Sequence, residues 1–217
     1  MPLTLNLLAT SVGLPAPLGE WQGERVISSI RKTPLSVPAI AVDALNILGD
    51  QQSDLTVHGG IDKAVYAYPV DHWPWWQSAG GFAAGLASFG ENLTVTGATE
   101  GEIRIGDKFV WGDVELEVSQ PRAPCYKFVM LTGRQDMATR MTVSGRTGWY
   151  YRVLKTGTAP TAGSLTRTST DAAMPTVREA LMALFHPRID DTIVEKVLGA
   201  VPLAKQWRAG VRQRRRS

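Results

Sequence analysis

Short apolar runs of strand length, each closed by Gly- or Pro-containing punctuation, fill the first two-thirds of the chain, and this rhythm sets the strongest limit on its fold. Val114-Glu115-Leu116-Glu117-Val118 alternates apolar and acidic residues, the period-2 pattern of a half-buried strand. Comparable runs at 4–10, 25–30, 39–42, 63–68, 93–95 and 108–111 also read as strands, and Gly112-Asp113 joins its neighbours as a tight hairpin. Many short strands with regular turns predict a closed or nearly closed β-barrel. Helical pattern is confined to 72–87, to 130–143 (with Asp136 as an alternative start) and to the chain end. There, Thr176-Val177-Arg178-Glu179 is a capping box opening an apolar run that Pro187 ends. Thr192-Ile193-Val194-Glu195 repeats the signature with Gly199 as its C-cap, and Pro202 begins a third short helix over 203–208. Residues 156–175, rich in Gly, Ser, Thr, Ala and Pro, read as a linker. The expected fold is mainly β with helices (α+β): a β-barrel domain over 1–160, then a helical domain with a basic tail over 176–217.

Composition narrows the function classes. With 44% hydrophobic and 20% charged residues, the 217-residue chain reads as a soluble globular protein. No stretch approaches the ~20 apolar residues of a membrane helix, and no basic n-region opens the chain, so a cytoplasmic protein with no membrane partner is expected. The net charge of +3 is unevenly placed. From Lys205 onward there are six basic residues and no acid, and the remainder holds 17 basic against 20 acidic. That tail reads as a frayed, solvated terminus, and nucleic acid is not expected as a partner. A single cysteine excludes an internal disulfide, a Cys-rich zinc site and a four-thiolate iron–sulfur cluster. The three histidines lack H-x-x-x-H spacing, and no phosphate-binding or dinucleotide-binding glycine motif is present. No flavin, haem or iron–sulfur group is expected within the chain.

Three segments carry candidate chemistry. In Val57-His58-Gly59-Gly60, a histidine precedes two glycines at a loop before a strand, where an imidazole can sit beside exposed backbone N–H groups; an ordinary turn is the equal alternative. In Gly90-Glu91-Asn92-Leu93, the Asn92 amide can read a heterocycle edge, although both polar residues also suit a plain turn. In Gln120-Pro121-Arg122-Ala123-Pro124-Cys125-Tyr126-Lys127, two prolines stiffen the approach to the only thiol, and cations stand three residues before it and two after. Nearby positive charge favours the thiolate, which is both a nucleophile and a soft metal ligand.

Taken in order, these segments resemble the MOSC family, named for its relation to the C-terminus of molybdenum cofactor sulfurases, and in particular its YiiM-like branch. The resemblance runs from about residue 23 to 157. It rests on Gly49-Asp50-Gln51, Val57-His58-Gly59-Gly60 with Asp62 and Lys63-Ala64, Tyr68-Pro69, Gly90-Glu91-Asn92-Leu93, Gly106-Asp107, Gln120-Pro121-Arg122 with Pro124-Cys125-Tyr126-Lys127, and Gly145 with Gly148-Trp149. The helices after Pro175 resemble that branch's C-terminal extension. The resemblance implies a MOSC-type barrel that binds molybdenum cofactor with Cys125 as the protein ligand to the metal. It also implies reduction of N-hydroxylated bases such as 6-N-hydroxylaminopurine. His58 and Thr33 match the branch's site histidine and hydroxyl, while Lys32, Asn92, Arg122 and Lys127 are the candidates for holding the cofactor. Converting R–NHOH to R–NH2 removes an oxygen atom with two electrons and two protons, and His58 is suited to protonate the departing oxygen. Without a flavin or cluster of its own, the chain is expected to draw electrons from a separate reductase. Two alternatives stay open: a sulfur carrier using a Cys125 persulfide, and a non-catalytic module that binds cofactor or base.

Overall fold

A computed structural model describes residues 3–53 and 59–215. The first half runs through β1 (Thr4–Val12), β2 (Ala16–Trp21), β3 (Glu24–Ser28), β4 (Thr33–Pro34), β5 (Ala39–Val42), β6 (Val65–Pro69), α1 (Trp73–Ser78) and β7 (Leu93–Thr96). Next come β8 (Lys108–Trp111), β9 (Val114–Pro121), α2 (Tyr126–Thr132), α3 (Met137–Ser144), β10 (Trp149–Lys155), β11 (Gly157–Pro160) and β12 (Gly163–Ser169). Three helices follow, α4 (Val177–Phe185), α5 (Asp191–Gly199) and α6 (Lys205–Arg214). Seven strands close into a barrel in the order β12-β8-β9-β10-β6-β7-β1, with β1 returning to β12, and β4 pairs with the end of β1 on the edge away from β7. The hairpin β2/β3 and the long-range antiparallel pair β5/β11 stand outside the ring.

Alternation produces the barrel. Leu5 and Leu7 of β1, Phe109 and Trp111 of β8, Val114, Leu116 and Val118 of β9, and Trp149 and Tyr151 of β10 are all buried. Their neighbours Thr4, Asn6, Lys108, Val110 and Glu115 face out, as the pleat requires. The β6 segment departs from this pattern because it is buried throughout. Val65 and Ala67 belong to the barrel interior, while Tyr66 and Tyr68 join an aromatic cluster with Trp76, Phe89, Phe128, Met137 and Met141. Strand β6 pairs with β7 in parallel, so the chain must cross over between them, which it does through α1. The barrel interior and the inward faces of α4 to α6, including Leu181, Val197, Trp207 and Val211, form one continuous apolar cluster.

Several expectations need correction. The stretch 156–175 is not a linker: β11 pairs with β5, and β12 closes the barrel against β1 in the register Leu5↔Leu165. Within β12 only Leu165 is fully inward, so the polar composition that suggested a loop is that of a strand with one face in water. Of the helix expected over 130–143, the alternative start at Asp136 is the one observed: Asp136 is the N-cap of α3, and residues 130–132 belong to α2, which ends where Gly133 adopts φ +68°. The capping box holds, with Glu179 N–H donating to Thr176 Oγ1 (3.0 Å) and Thr176 N–H donating to the Glu179 carboxylate (2.8 Å). The second cap is Asp190 rather than Thr192; its carboxylate accepts from Thr192 N–H (2.8 Å). Gly199 is the last residue of α5, and Ala200 is its C-cap.

The basic tail is helical through Arg214 and is used by the fold. Arg214 donates to the carbonyl of Ala183 at 2.8 Å and to that of His186, near the end of α4, and Arg208 donates to the carbonyls of Ala200 and Val201 after α5. Helix ends leave backbone carbonyls unpaired and carry partial negative charge, which these guanidinium groups satisfy.

Two positions make this scaffold testable. Glu91 is fully buried ahead of β7, accepting from the backbone N–H groups of Ala87 and Phe89 and from the Thr94 hydroxyl, each at 2.9 Å. Burial lifts its carboxyl from 4.5 to about 7. Stability from the protonated form is complete below pH 4.5 and is lost as pH rises through about 7, where the folded chain must carry a buried charge. Wild-type stability is expected to fall by up to about 3 kcal/mol across that window. Glu91→Gln should flatten the decline in denaturant titrations, and parallel wild-type and variant curves would refute the assignment. Gly148 has φ +67°, and an added Cβ would lie 2.2 Å from the Ala67 carbonyl oxygen. Gly148→Ala should therefore cost about 3 kcal/mol or more, read as a lowered urea midpoint.

Candidate functional site

At the end of β9 the chain leaves the barrel through Arg122-Ala123-Pro124 and reaches Cys125, the N-cap of α2. Prolines 121 and 124 limit the backbone on both sides of Arg122, and Arg122 N–H donates to the Gly148 carbonyl (3.3 Å). The thiol is partly exposed. It lines a cleft of about 650 Å³ together with Ser29, Lys32, Asp50, Asn92, Arg122 and Lys127.

The electrostatics of this cleft are lopsided. Lys32, Lys63, Arg122 and Lys127 face a single carboxylate, Asp50, among the described lining residues, and Asp50 is ion-paired with Lys32. Arg122 is only 5% exposed and Lys127 only 7%, yet neither has a carboxylate within ion-pair distance among the described residues. The Arg122 guanidinium instead lies 4.9 Å from the Phe128 ring centroid and 5.3 Å from that of Tyr66, with Met141 Sδ at 2.9 Å. It is also close enough to interact electrostatically with Cys125 and Tyr150. Cation–π contacts compensate part of the lost hydration of such a group. A buried cation without an anion remains costly. Burial also pushes the Tyr66 and Tyr150 phenols upward, which keeps both neutral.

Asp50 and Asn92 hold the cleft together. Asp50 accepts from Gly13 N–H (2.8 Å), from the Asn92 side-chain amide (2.9 Å) and from Lys32. Asn92 also donates to the Ser11 carbonyl (3.1 Å) and accepts from Tyr66 N–H (3.1 Å). Both donors of the Asn92 amide are thus engaged by protein, and the residue acts as a tie between β1 and β6 rather than as a free edge for a ligand. Burial lowers the pKa of Lys32 while the Asp50 carboxylate pulls it back up.

Of the residues singled out from sequence, Lys32, Asn92, Arg122, Cys125 and Lys127 meet around one cleft. Thr33 does not join them: it is exposed on β4, beside Val12 of β1. His58 lies outside the described residues. Sequence reasoning gave no role to Asp50, Tyr66, Tyr150 or Ser29, all of which line the cleft. Asp50 meets its partners across 18, 37 and 42 residues of chain, a relation that no local motif carries.

The donor set defines what the cleft can hold. No group of three or more His, Cys, Asp or Glu side chains suited to a metal ion occurs among the described residues. Among the described residues, a metal at Cys125 therefore meets no further set of protein ligands. Ser29 lines the same cleft, and its buried hydroxyl has no hydrogen-bond partner among the described residues. A thiol beside cations that meet no carboxylate of their own among the described residues suits an anionic, prechelated metal group. A second cavity of about 720 Å³ shares Lys63, Ala123, Cys125 and Tyr150 with this cleft and is completed by Gln120, Pro124, Leu184, Gln206 and Trp207.

No helix among the described residues is long and apolar enough to cross a membrane. The chain is 36% identical over 204 residues to YflK of Bacillus subtilis (strain 168), covering 94% of this chain and 91% of that protein. It is 35% identical to the protein YiiM of Escherichia coli (strain K12) over 195 residues, 85% of this chain and 86% of YiiM. The crystal structure of YiiM from Geobacillus stearothermophilus superposes with a TM-score of 0.79 at 27% identity, covering 97% of this chain and 98% of that one. A protein named "Reductase" from Gibberella moniliformis (strain M3125 / FGSC 7600) matches at 37% identity over 139 residues, 62% of this chain but 24% of that longer protein. The MOSC domain model matches residues 54–164, the stretch that contains β6 to β11 and Cys125. With that match, and with relatives of this similarity along almost its whole length, the chain belongs to the MOSC domain family, in its YiiM-like branch.

Proposed function

We propose that the cleft binds molybdenum cofactor, with Cys125 as the protein ligand to the metal, and that the protein reduces N-hydroxylated bases to amines. The observation that carries this reading is the pair of buried cations, Arg122 and Lys127, standing without a counter-carboxylate among the described residues beside the only thiol. The cofactor's phosphate would supply the missing negative charge. When bound, the cofactor supplies the two-electron reducing capacity and the destination for the oxygen atom.

The residues of the chain then have distinct tasks. Arg122 and Lys127 hold the anionic end, and the Asp50–Asn92 network keeps the cleft wall in place. The rings of Tyr66 and Tyr150, 5.1 Å apart, form a neutral wall. Reduction of R–NHOH to R–NH2 and water consumes two protons. His58, assigned from sequence, is the proposed donor to the departing oxygen. Electrons come from a separate reductase, and the relationship to a longer protein named as a reductase supports a redox role.

Protein made in a molybdenum-replete host is expected to retain molybdenum and to reduce 6-N-hydroxylaminopurine with an artificial electron donor. Cys125→Ala should lose both while keeping the wild-type circular dichroism spectrum. Full turnover with molybdenum retained in that variant would reject the mechanism. Cyanide-labile sulfur on Cys125, with sulfur transfer in the absence of molybdenum, would select a sulfur carrier instead. Removing one charge-assisted contact costs about 1.5–3 kcal/mol, so Lys127→Gln should weaken cofactor retention roughly 10- to 100-fold. The check is molybdenum per chain after graded dialysis.

A further inference from the structure

A buried histidine–carboxylate pair stands outside the cleft and is bonded to the segment that carries the cleft's buried cation. His72, the N-cap of α1, is 7% exposed, and Glu100, between β7 and β8, is 2% exposed. One Glu100 oxygen meets His72 Nε2 at 2.7 Å, and the other accepts from Gly148 N–H at 2.6 Å. Gly148 ends the segment Arg146-Thr147-Gly148, immediately before β10. The three successive carbonyls of that segment accept from the Tyr68 hydroxyl (3.3 Å), the Tyr66 hydroxyl (2.7 Å) and Arg122 N–H (3.3 Å), in that order.

The segment is the bracket on which Arg122 is mounted. Arg122 takes its main-chain bond from it, and Tyr66, whose ring centroid lies 5.3 Å from the guanidinium, takes its hydroxyl bond from it too. The segment cannot shift toward β6, because Gly148 already packs against the Ala67 carbonyl. On its other side the Gly148 N–H is met by Glu100, and a buried N–H left unmet is costly. We propose that the His72–Glu100 pair is a positioning device for the cleft: Glu100 clamps the 146–148 segment, His72 fixes the orientation of the carboxylate, and the segment sets where the Arg122 guanidinium stands beside Tyr66 and Cys125. Both are positioning residues, since neither is among the described residues that line the cleft. This deepens the cofactor reading and rests on it only for what the cleft binds, because the placing of a cation near the sulfur is a property of the chain itself.

Cys125 is the chain's only thiol, so alkylation reads the potential at its sulfur. The full-length chain, produced without molybdenum, is treated with anionic iodoacetate and with neutral iodoacetamide. The ratio of the two rates reports nearby positive charge, and general changes in thiol exposure cancel from it. Folded wild type should show a higher ratio than the urea-unfolded chain. Glu100→Ala should lower the ratio roughly three- to tenfold as Arg122 moves away from the sulfur, with the circular dichroism spectrum kept. Glu100→Gln, whose side-chain oxygen still accepts from Gly148 N–H, should hold the ratio at or above the wild-type value. The sign is diagnostic, because a Glu100 that acted through its charge alone would raise the preference for iodoacetate in both variants. His72→Ala should lower the ratio in the same direction, and it serves as the test if Glu100→Ala fails to fold. Molybdenum per chain, measured after expression in a molybdenum-replete host, should fall in Glu100→Ala and hold in Glu100→Gln. The expected ratios in a protein that takes up no molybdenum keep the positioning role and remove the cofactor reading. An unchanged or raised ratio in Glu100→Ala and His72→Ala, or an equal loss in Glu100→Gln and Glu100→Ala, overturns the positioning role.

Discussion

The cleft depends on one buried carboxylate. Asp50 binds the backbone after β1, the side chain of Asn92 ahead of β7 and the ammonium of Lys32 at once. Asn92 passes the connection to Tyr66 of β6 and back to Ser11 of β1. Three remote pieces of chain are thereby held in one wall. Burying an ion pair rarely adds net stability, because both partners lose their hydration. Here the pair sits where apolar packing would have closed the space, so its retention fits a role in keeping a polar opening beside the thiol. The pair also consumes the only lining carboxylate among the described residues, which leaves Arg122 and Lys127 unneutralised.

What could be read from the sequence follows from where the physical signal is local. Val114-Glu115-Leu116-Glu117-Val118 announces its strand because inward and outward positions differ sharply, and the structure buries Val114, Leu116 and Val118. The Thr176–Glu179 capping box depends on residues three apart and formed as expected. Strand β12 was illegible because six of its seven residues are not fully buried; its place in the barrel is fixed by pairing with β1 about 160 residues earlier. The second helix cap was misplaced by two residues because Asp190 and Thr192 are both good capping residues, and the backbone turns at Asp190. At the site, the stiff Pro121-Arg122-Ala123-Pro124-Cys125 segment identified the thiol wall directly. Asn92 was recognised as a position but not in its task, since its partners come from distant strands.

Charge shows the same division between sum and location. The six basic residues after position 204 dominate the net charge of +3, yet Arg208 and Arg214 are held against backbone carbonyls at helix ends. They fasten the helical segment to itself. The cations with chemical consequence are fewer, buried and scattered in sequence at 32, 122 and 127. Coulombic effects grow where water is excluded, so two or three such groups around a sulfur outweigh a longer exposed run that salt screens. The pI of 9.1 therefore says little about what the protein binds.

The solitary thiol also limits the form in which a metal could be used. One sulfur cannot by itself fix the coordination number or geometry of a metal ion, and the described residues offer no cluster of further ligands. On the proposed function the metal centre arrives inside an organic chelate, and the protein recognises that chelate through its other features, above all its charge. The anion-seeking groups and the sulfur then belong on one side of Cys125, where the cleft lies. The same residue also lines the cavity bordered by Leu184 and Trp207, so the sulfur stands between a cationic opening and a less polar one. Recognition of the chelate is thereby left to the cations, and the sulfur is left to the metal.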